Sequence, residues 1–201
     1  MIVSQILPLN KSRSRVFLDG EYAFVLYKGE LNRFHIREGE DLSEESYAQI
    51  MNEVLPKRAK LRAMNMLQSK SYTEAELARK LREGGYPENI ISDTLTYVAS
   101  YGYTDDVRYA ADYIRYHCKD RGRRRLLMEL QRKGVSEDSF EKAWQECEEL
   151  GLTEDEDASL RMLLQKKHYK PEQADEAMRR RIVSYLLRRG YSMDRILHAI
   201  S

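Results

Sequence analysis

Cysteine is scarce in this sequence. The two present, Cys118 and Cys147, stand in no C-x-x-C spacing, which excludes a disulfide scaffold and fits buried or inert thiols in a reducing compartment. Long apolar runs are missing as well. No stretch approaches the roughly 20 apolar residues that a membrane span needs, and the opening MIVSQILPLNK lacks the basic-then-apolar order of a signal peptide. The expectation is a cytoplasmic protein without membrane contact. Histidine is sparse and scattered: His35, His117, His168 and His198 form no H-E-x-x-H pattern. His117 and Cys118 make no dyad, because adjacent helix residues point apart. Phosphate-cradling signatures of the G-x-x-x-x-G-K-[ST] and G-x-G-x-x-G kinds are absent. No nucleophile with a base, paired-carboxylate pocket or metal cluster is legible. The sequence therefore predicts a non-enzyme, with no catalytic residue, cofactor or metal.

What the chain does carry is charge. Of its 201 residues 33% are charged, yet the net charge is only +1, so the signs must be sorted by position. Lys119 to Lys133 holds seven basic and two acidic residues, and Arg179 to Arg189 holds five arginines and no acid. Ser136 to Asp157 is acidic throughout, with Lys142 its only base. Charge runs are commonly solvated helix faces. Two basic runs in successive repeats instead suggest a shared side facing a polyanion or an acidic protein surface.

The repeats are visible in two phrases, YGYTDD at 101–106 and LGLTED at 150–155. Each reads as a helix stop at glycine, a short turn, then a threonine N-cap (Thr104, Thr153) followed by acids that suit a helix dipole: Asp105 and Asp106, then Glu154 and Asp155. The flanks match at a spacing of 49: Gly85 with Gly134 and Gly102 with Gly151, with Leu81 and Leu130 each four before a glycine. Gly190-Tyr191, with Leu186 before it and Ile196 and Ile200 after, supplies a third copy. A period near 50 residues marks tandem units that bury their open faces on one another.

Only residues 1–27 read as strand. Asp19-Gly20 between apolar runs is a hairpin signal that pairs Leu18 with Glu21 and Phe17 with Tyr22. A short helix over 43–54 follows, N-capped by Ser43, and Pro56 closes the module. From Lys57 onward everything reads helical. The expected helices are 58–69, one from Thr73 to Gly84-Gly85 and one from Pro87 to Gly102; then 105–119, 122–133 and 137–149; then 154–167, 172–189 and 193–200. The expected domains are a β-hairpin or meander module with a short helix (1–56) and three-helix repeats at 57–103, 104–152 and 153–201. The fold class is mainly α, tandem three-helix repeats in an elongated solenoid-like array.

Val107, Ala110, Ala111, Ile114 and Cys118 form an apolar stripe at helical spacing, with Tyr109, Tyr113 and Tyr116 beside it. Those tyrosines suit packing between units, a contact surface, or base stacking. Arg123, Arg124 and Arg125 cannot all face inward. A cationic cluster at a helix start opposes the dipole, which points to a ligand or partner; arginine fits carboxylate and phosphate as a fork.

The stretch ARKLREGGYPENIISDTLTYVASYGYTDDVRYAADYIRYH (78–117) resembles the RecX family, bacterial regulators of the RecA recombinase. It carries an L-x-x-x-G-aromatic turn and a D-D-x-R-[FY]-A signature at Asp105, Asp106, Arg108, Tyr109 and Ala110. GRRRLLMELQRKGV (122–135) fits the family pattern through Gly122, Arg125, Leu126, Glu129, Leu130, Lys133 and Gly134. LDGEYAF (18–24) is similar to the β-extension that some members carry. The third unit, with MRRRIVSYLLRRGYS, keeps only the Leu–Gly–aromatic frame. The resemblance implies a monomeric, non-catalytic protein that binds the RecA–single-stranded DNA filament, with weak direct DNA binding, and restrains its recombinase, ATPase and coprotease activities. The expected contact residues are Arg108, Tyr109, Tyr113, Arg123, Arg124, Arg125 and Lys133, extended by Arg179, Arg180, Arg181, Arg188 and Arg189. Two other readings stand beside it: a generic helical nucleic-acid-binding protein with helix-turn-helix-like units, and a scaffold whose acidic segment (136–157) recruits basic partners.

Overall fold

A computed structural model describes residues 1–153 and 156–201; the expected first-turn acids Glu154 and Asp155 lie outside the described residues. The chain divides into two compact units, Met1–Thr104 and Asp105–Ser201.

The first unit opens with an antiparallel sheet in the order β1 (Val3–Pro8), β2 (Arg13–Leu18), β3 (Glu21–Tyr27). Asp19 and Gly20 both take positive φ, 50° and 90°, as a two-residue hairpin turn matched to strand twist requires. Leu18 pairs with Glu21 and Phe17 with Tyr22, the register the sequence predicts. A short helix, α1 (Lys28–Arg33), follows β3; the sequence reading does not contain it. Its start is capped by Glu30, whose carboxylate accepts the Tyr27 N–H at 2.7 Å.

Ser43 caps α2 (Glu44–Gln49), as expected. The helix does not stop at Pro56. It passes through a π-helical turn, Ile50–Val54, straight into α3 (Leu55–Ser69). A proline ring clashes with the carbonyl four residues back, and a widened turn just before it relieves that clash. Helices α4 (Glu74–Glu83) and α5 (Glu88–Ser100) complete the unit. Thr73 caps α4 through the Glu76 N–H, and Pro87 is the N-cap of α5 rather than its first helical residue.

The sheet and these helices share one apolar core, in which Val16, Phe24 and Leu26 meet Ile50, Leu55, Ala59, Leu77 and Ile91. Arg58 pins the polar edge. Its guanidinium bonds the Glu30 carboxylate at 2.7 Å and the Val25 carbonyl at 2.5 Å, and lies 5.1 Å and 5.5 Å from the Tyr27 and Tyr86 ring centres.

The second unit contains α6 (Asp106–His117), α7 (Arg123–Arg132) and α8 (Glu137–Glu149), then α9 (Glu156–Lys166), a 3-10 turn (Pro171–Gln173), α10 (Glu176–Arg188) and α11 (Met193–Ile200). The predicted α6 stripe is the buried one: Ala110, Ala111, Ile114 and Cys118 pack on Leu126, Phe140, Ala143 and Cys147. A separate core joins Leu160, Leu163, Ile182, Leu186, Tyr191 and Ile196. Asp105, not Thr104, caps α6, accepting the Arg108 N–H at 3.0 Å; Thr104 is buried and its hydroxyl has no hydrogen-bond partner. The carboxylate is the better acceptor for a helix N-terminus.

Arg58 and Glu30 are both about four-fifths buried. Removing one partner of such a pair strands the other, so Arg58→Met is expected to lower stability by roughly 2–4 kcal/mol. Urea unfolding of the full chain measures this. The double change with Glu30→Gln should cost less than the sum of the two single changes.

Candidate partner-binding surface

All twelve residues expected at the interface fall in the second unit, and the structure separates them by what their side chains touch. One group is committed internally. Glu129, on α7, accepts three bonds: from Arg125 Nε at 2.8 Å, Arg121 Nη1 at 2.6 Å and Tyr113 Oη at 2.9 Å. Burial alone would raise the Glu129 carboxyl, but these bonds hold it below its ordinary value. Burial and the hydrogen bond to Glu129 raise the Tyr113 phenol. The His117 ring, 4.3 Å from Tyr113, is pushed down by burial and by Arg121. Lys133 Nζ lies 5.8 Å from both the Tyr109 and Tyr113 ring centres.

Arg125 and Arg189 also hold the second and third repeats together, while Arg123 braces α7 against α8. Arg125 Nη1 donates to the Arg188 carbonyl at 3.0 Å, and Arg189 Nη1 donates to the Asp120 carbonyl and carboxylate at 2.8 and 2.6 Å. The Arg123 guanidinium pairs with Glu141 and lies 5.3 Å from the Trp144 ring centre. These contacts are possible because two glycines bring the backbones together. Gly122 N–H donates to the Arg189 carbonyl at 2.8 Å. A Cβ on Gly122 would lie 2.7 Å from the Gly190 carbonyl, and one on Gly190 would collide with Arg125.

The cationic start of α7 has an internal answer too. Its first turn contains no acid, and Gly122 offers no side-chain cap. Glu156 of α9 supplies the missing charge, accepting the Arg123 N–H at 3.1 Å while pairing with Arg195 of α11 at 3.2 Å. Arg123 and Arg125 thus have internal partners, and their place at this helix start does not by itself require an outside ligand.

The other group is free. Arg108, Arg124, Arg179, Arg181 and Arg188 are exposed, and their guanidinium groups have no partner among the described residues. Arg180 is exposed and paired only with Glu176 one turn away, a contact that contributes little. Arg132, absent from the expected set, is likewise exposed and without a partner among the described residues; its place in the 119–133 basic run was the available signal. Tyr109 and Tyr113 are half-buried, whereas Tyr116 is 81% exposed. No group of three or more His, Cys, Asp or Glu arranged for a metal occurs among the described residues. Nor does any helix among them have the length and apolarity to cross a membrane.

Comparison with known proteins matches the order of three-helix units. Three domain models of RecX, its first, second and third three-helix domains, align with residues 59–97, 105–143 and 154–200. The chain belongs to the RecX family. "Regulatory protein RecX" of Caldanaerobacter subterraneus is 29% identical over 203 residues, covering 100% of this chain and 99% of that one. The RecX of Clostridium acetobutylicum is 29% identical over 190 residues, covering 92% and 87%. A crystal structure of a regulatory protein RecX superposes with a TM-score of 0.61 over 96% of both chains at 24% identity. RecX from Lactobacillus salivarius gives 0.61 at 23% identity over 73% of this chain and 95% of that one. These two likenesses bear on the fold.

Two outcomes are expected from the internal network. Gly190 has φ +90°, so Gly190→Ala adds left-handed strain to a collision and should destabilise the protein by about 2–4 kcal/mol, read by urea denaturation. Stability owed to Glu129 is fully present above the unfolded carboxyl value, 4.5, and is lost as pH falls through the lower folded value. Between pH 5 and 3, roughly, the unfolding midpoint of Glu129→Gln should therefore fall less steeply than that of the unaltered protein.

Proposed function

We propose that this protein binds the RecA filament on single-stranded DNA and restrains its recombinase, ATPase and coprotease activities, acting as a cytoplasmic monomer without catalysis of its own. The observation that carries the reading is family membership across all three repeats, whose curated members bear the name regulatory protein. The exposed arginines support it. Arg108, Arg124, Arg179, Arg181 and Arg188 are charges held ready for a partner, with no internal pair to break before binding. Arginine forks suit the carboxylates of a protein surface and the phosphates of a nucleic acid alike. Arg123, Arg125 and Arg189 serve this reading indirectly, by holding the surface in shape.

The test is DNA-dependent ATP hydrolysis by a pre-formed RecA filament as the protein is titrated in, beside binding to the same DNA alone. Inhibition is expected well below the concentration that coats bare DNA. Arg108→Glu with Arg124→Glu should raise the half-inhibitory concentration about tenfold, as two reversed rim charges imply, with the circular dichroism spectrum unchanged. Inhibition that merely tracks coverage of bare DNA, with a steep salt dependence, would favour the generic nucleic-acid reading instead.

A further inference from the structure

We propose that the cleft between α7 and α10 is a docking site for an acidic peptide segment that carries an apolar side chain. This deepens the filament reading, since it gives one part of the same surface a partner chemistry.

The cleft encloses about 490 Å³ and is walled by Arg124, Met128 and Arg132 from α7 and by Leu187 and Arg188 from α10. Its charge is one-sided. Arg124, Arg132 and Arg188 are exposed and have no side-chain partner among the described residues. Glu129 is the acid in the lining, and Arg125 and Arg121 already neutralise it. A carboxylate entering the cleft thus meets three unsatisfied guanidinium forks and no free acid. Charge complementarity of this kind selects an acidic partner and fixes its register.

The floor argues for peptide over nucleic acid. Met128 is 48% exposed and Leu187 41% exposed, so both present an apolar surface between the arginines. Methionine adapts its shape to varied apolar partners. A single strand would seek aromatic faces on which to stack its bases, but Tyr191, the aromatic of this lining, is 2% exposed and its phenol is pushed up to about 12 by burial. The walls are braced against each other. Arg125 bridges α7 to the Arg188 carbonyl, and Gly122 and Gly190 allow close backbone contact beside the cleft. A site already held open loses less on binding than one that must be ordered first.

The test uses the full chain and a fluorescein-labelled synthetic peptide of alternating glutamate and leucine, followed by anisotropy, with oligothymidylate of matched charge as competitor. Arg124→Glu with Arg188→Glu is expected to weaken peptide binding by about tenfold or more. Neither side chain has a partner among the described residues, so the fold should persist, and circular dichroism checks that it does. Met128→Ser with Leu187→Ser should weaken binding several-fold while leaving net charge alone. Arg179→Glu with Arg181→Glu, an equal charge change at the start of α10, should leave it within about twofold. An equal loss from both charge reversals would reduce the effect to net charge and overturn the proposal. So would indifference to the Met128 and Leu187 changes. Oligothymidylate that binds more tightly and displaces the peptide would make the cleft a nucleic-acid site. Filament inhibition measured in parallel separates the two readings: a protein that takes the peptide at the cleft but never inhibits the filament defeats the regulatory reading and leaves the cleft standing.

Discussion

Every repeat depends on one turn, a helix closed by a left-handed glycine and sealed by a leucine beneath an apolar residue. At Gly85, Gly134 and Gly190 φ is 81°, 90° and 90°. The next residue's N–H returns to the leucine carbonyl five positions back: Tyr86 to Leu81, Val135 to Leu130, Tyr191 to Leu186. This closure satisfies carbonyls that a helix end leaves orphaned. It also buries Leu and its partner together, and all six side chains are buried. Helices of ten to thirteen residues are marginal alone, so their stability comes from the packing that this reversal permits. The same glycine in the third copy lets α10 approach α7, and from that approach come both the bridges made by Arg125 and Arg189 and the cleft beside them.

Polar contacts lock the arrangement at a few nodes. Glu30 with Arg58, and Glu156 with Arg195 and the start of α7, join groups distant in sequence, while Glu129 with Arg121 and Arg125 ties α7 to the turn before it. Each carboxylate is largely withdrawn from water and fully engaged, the condition under which partly buried charge is tolerated. In the second unit Arg121, Arg123, Arg125, Arg189 and Arg195 are engaged internally. Arg108, Arg124, Arg132, Arg179, Arg181 and Arg188 have no side-chain partner among the described residues, and they can meet a partner without first dismantling the fold. Sorting arginines into these two populations is what turns a basic sequence into a surface with a shape.

Much of the architecture was legible in the linear pattern. The Asp19-Gly20 turn fixes strand register locally, the α6 stripe follows from 3.6-residue periodicity, and α8 runs over 137–149 as read. The misreadings have local physical causes. Asp105 outcompetes Thr104 as a cap because both are capping residues and the carboxylate pairs better with the helix end. Pro56 fails to stop a helix because a π turn absorbs its clash. The short α1 has six residues and no buried side chain, so no apolar periodicity announced it. Among the candidate contacts, sequence could name the arginines but not say which were spoken for. Arg124 and Arg125 are neighbours of identical chemistry; the i,i+4 spacing to Glu129 singles out Arg125, but only the fold shows its second bond to the Arg188 carbonyl.

The sequence by itself determined the repeat, the helix boundaries at glycine, the buried stripes and the family, because these rest on interactions between residues near each other along the chain or on patterns carried whole within each unit. Tertiary structure alone decided that Arg125, Arg189 and Arg123 are internal braces while Arg124, Arg132 and Arg188 remain available. It also decided that Glu156, across a helix boundary, answers the cationic start of α7. Those outcomes depend on which helix faces which, set by the close approach of Gly122 and Gly190 across the two repeats, and no spacing along the chain encodes that distance.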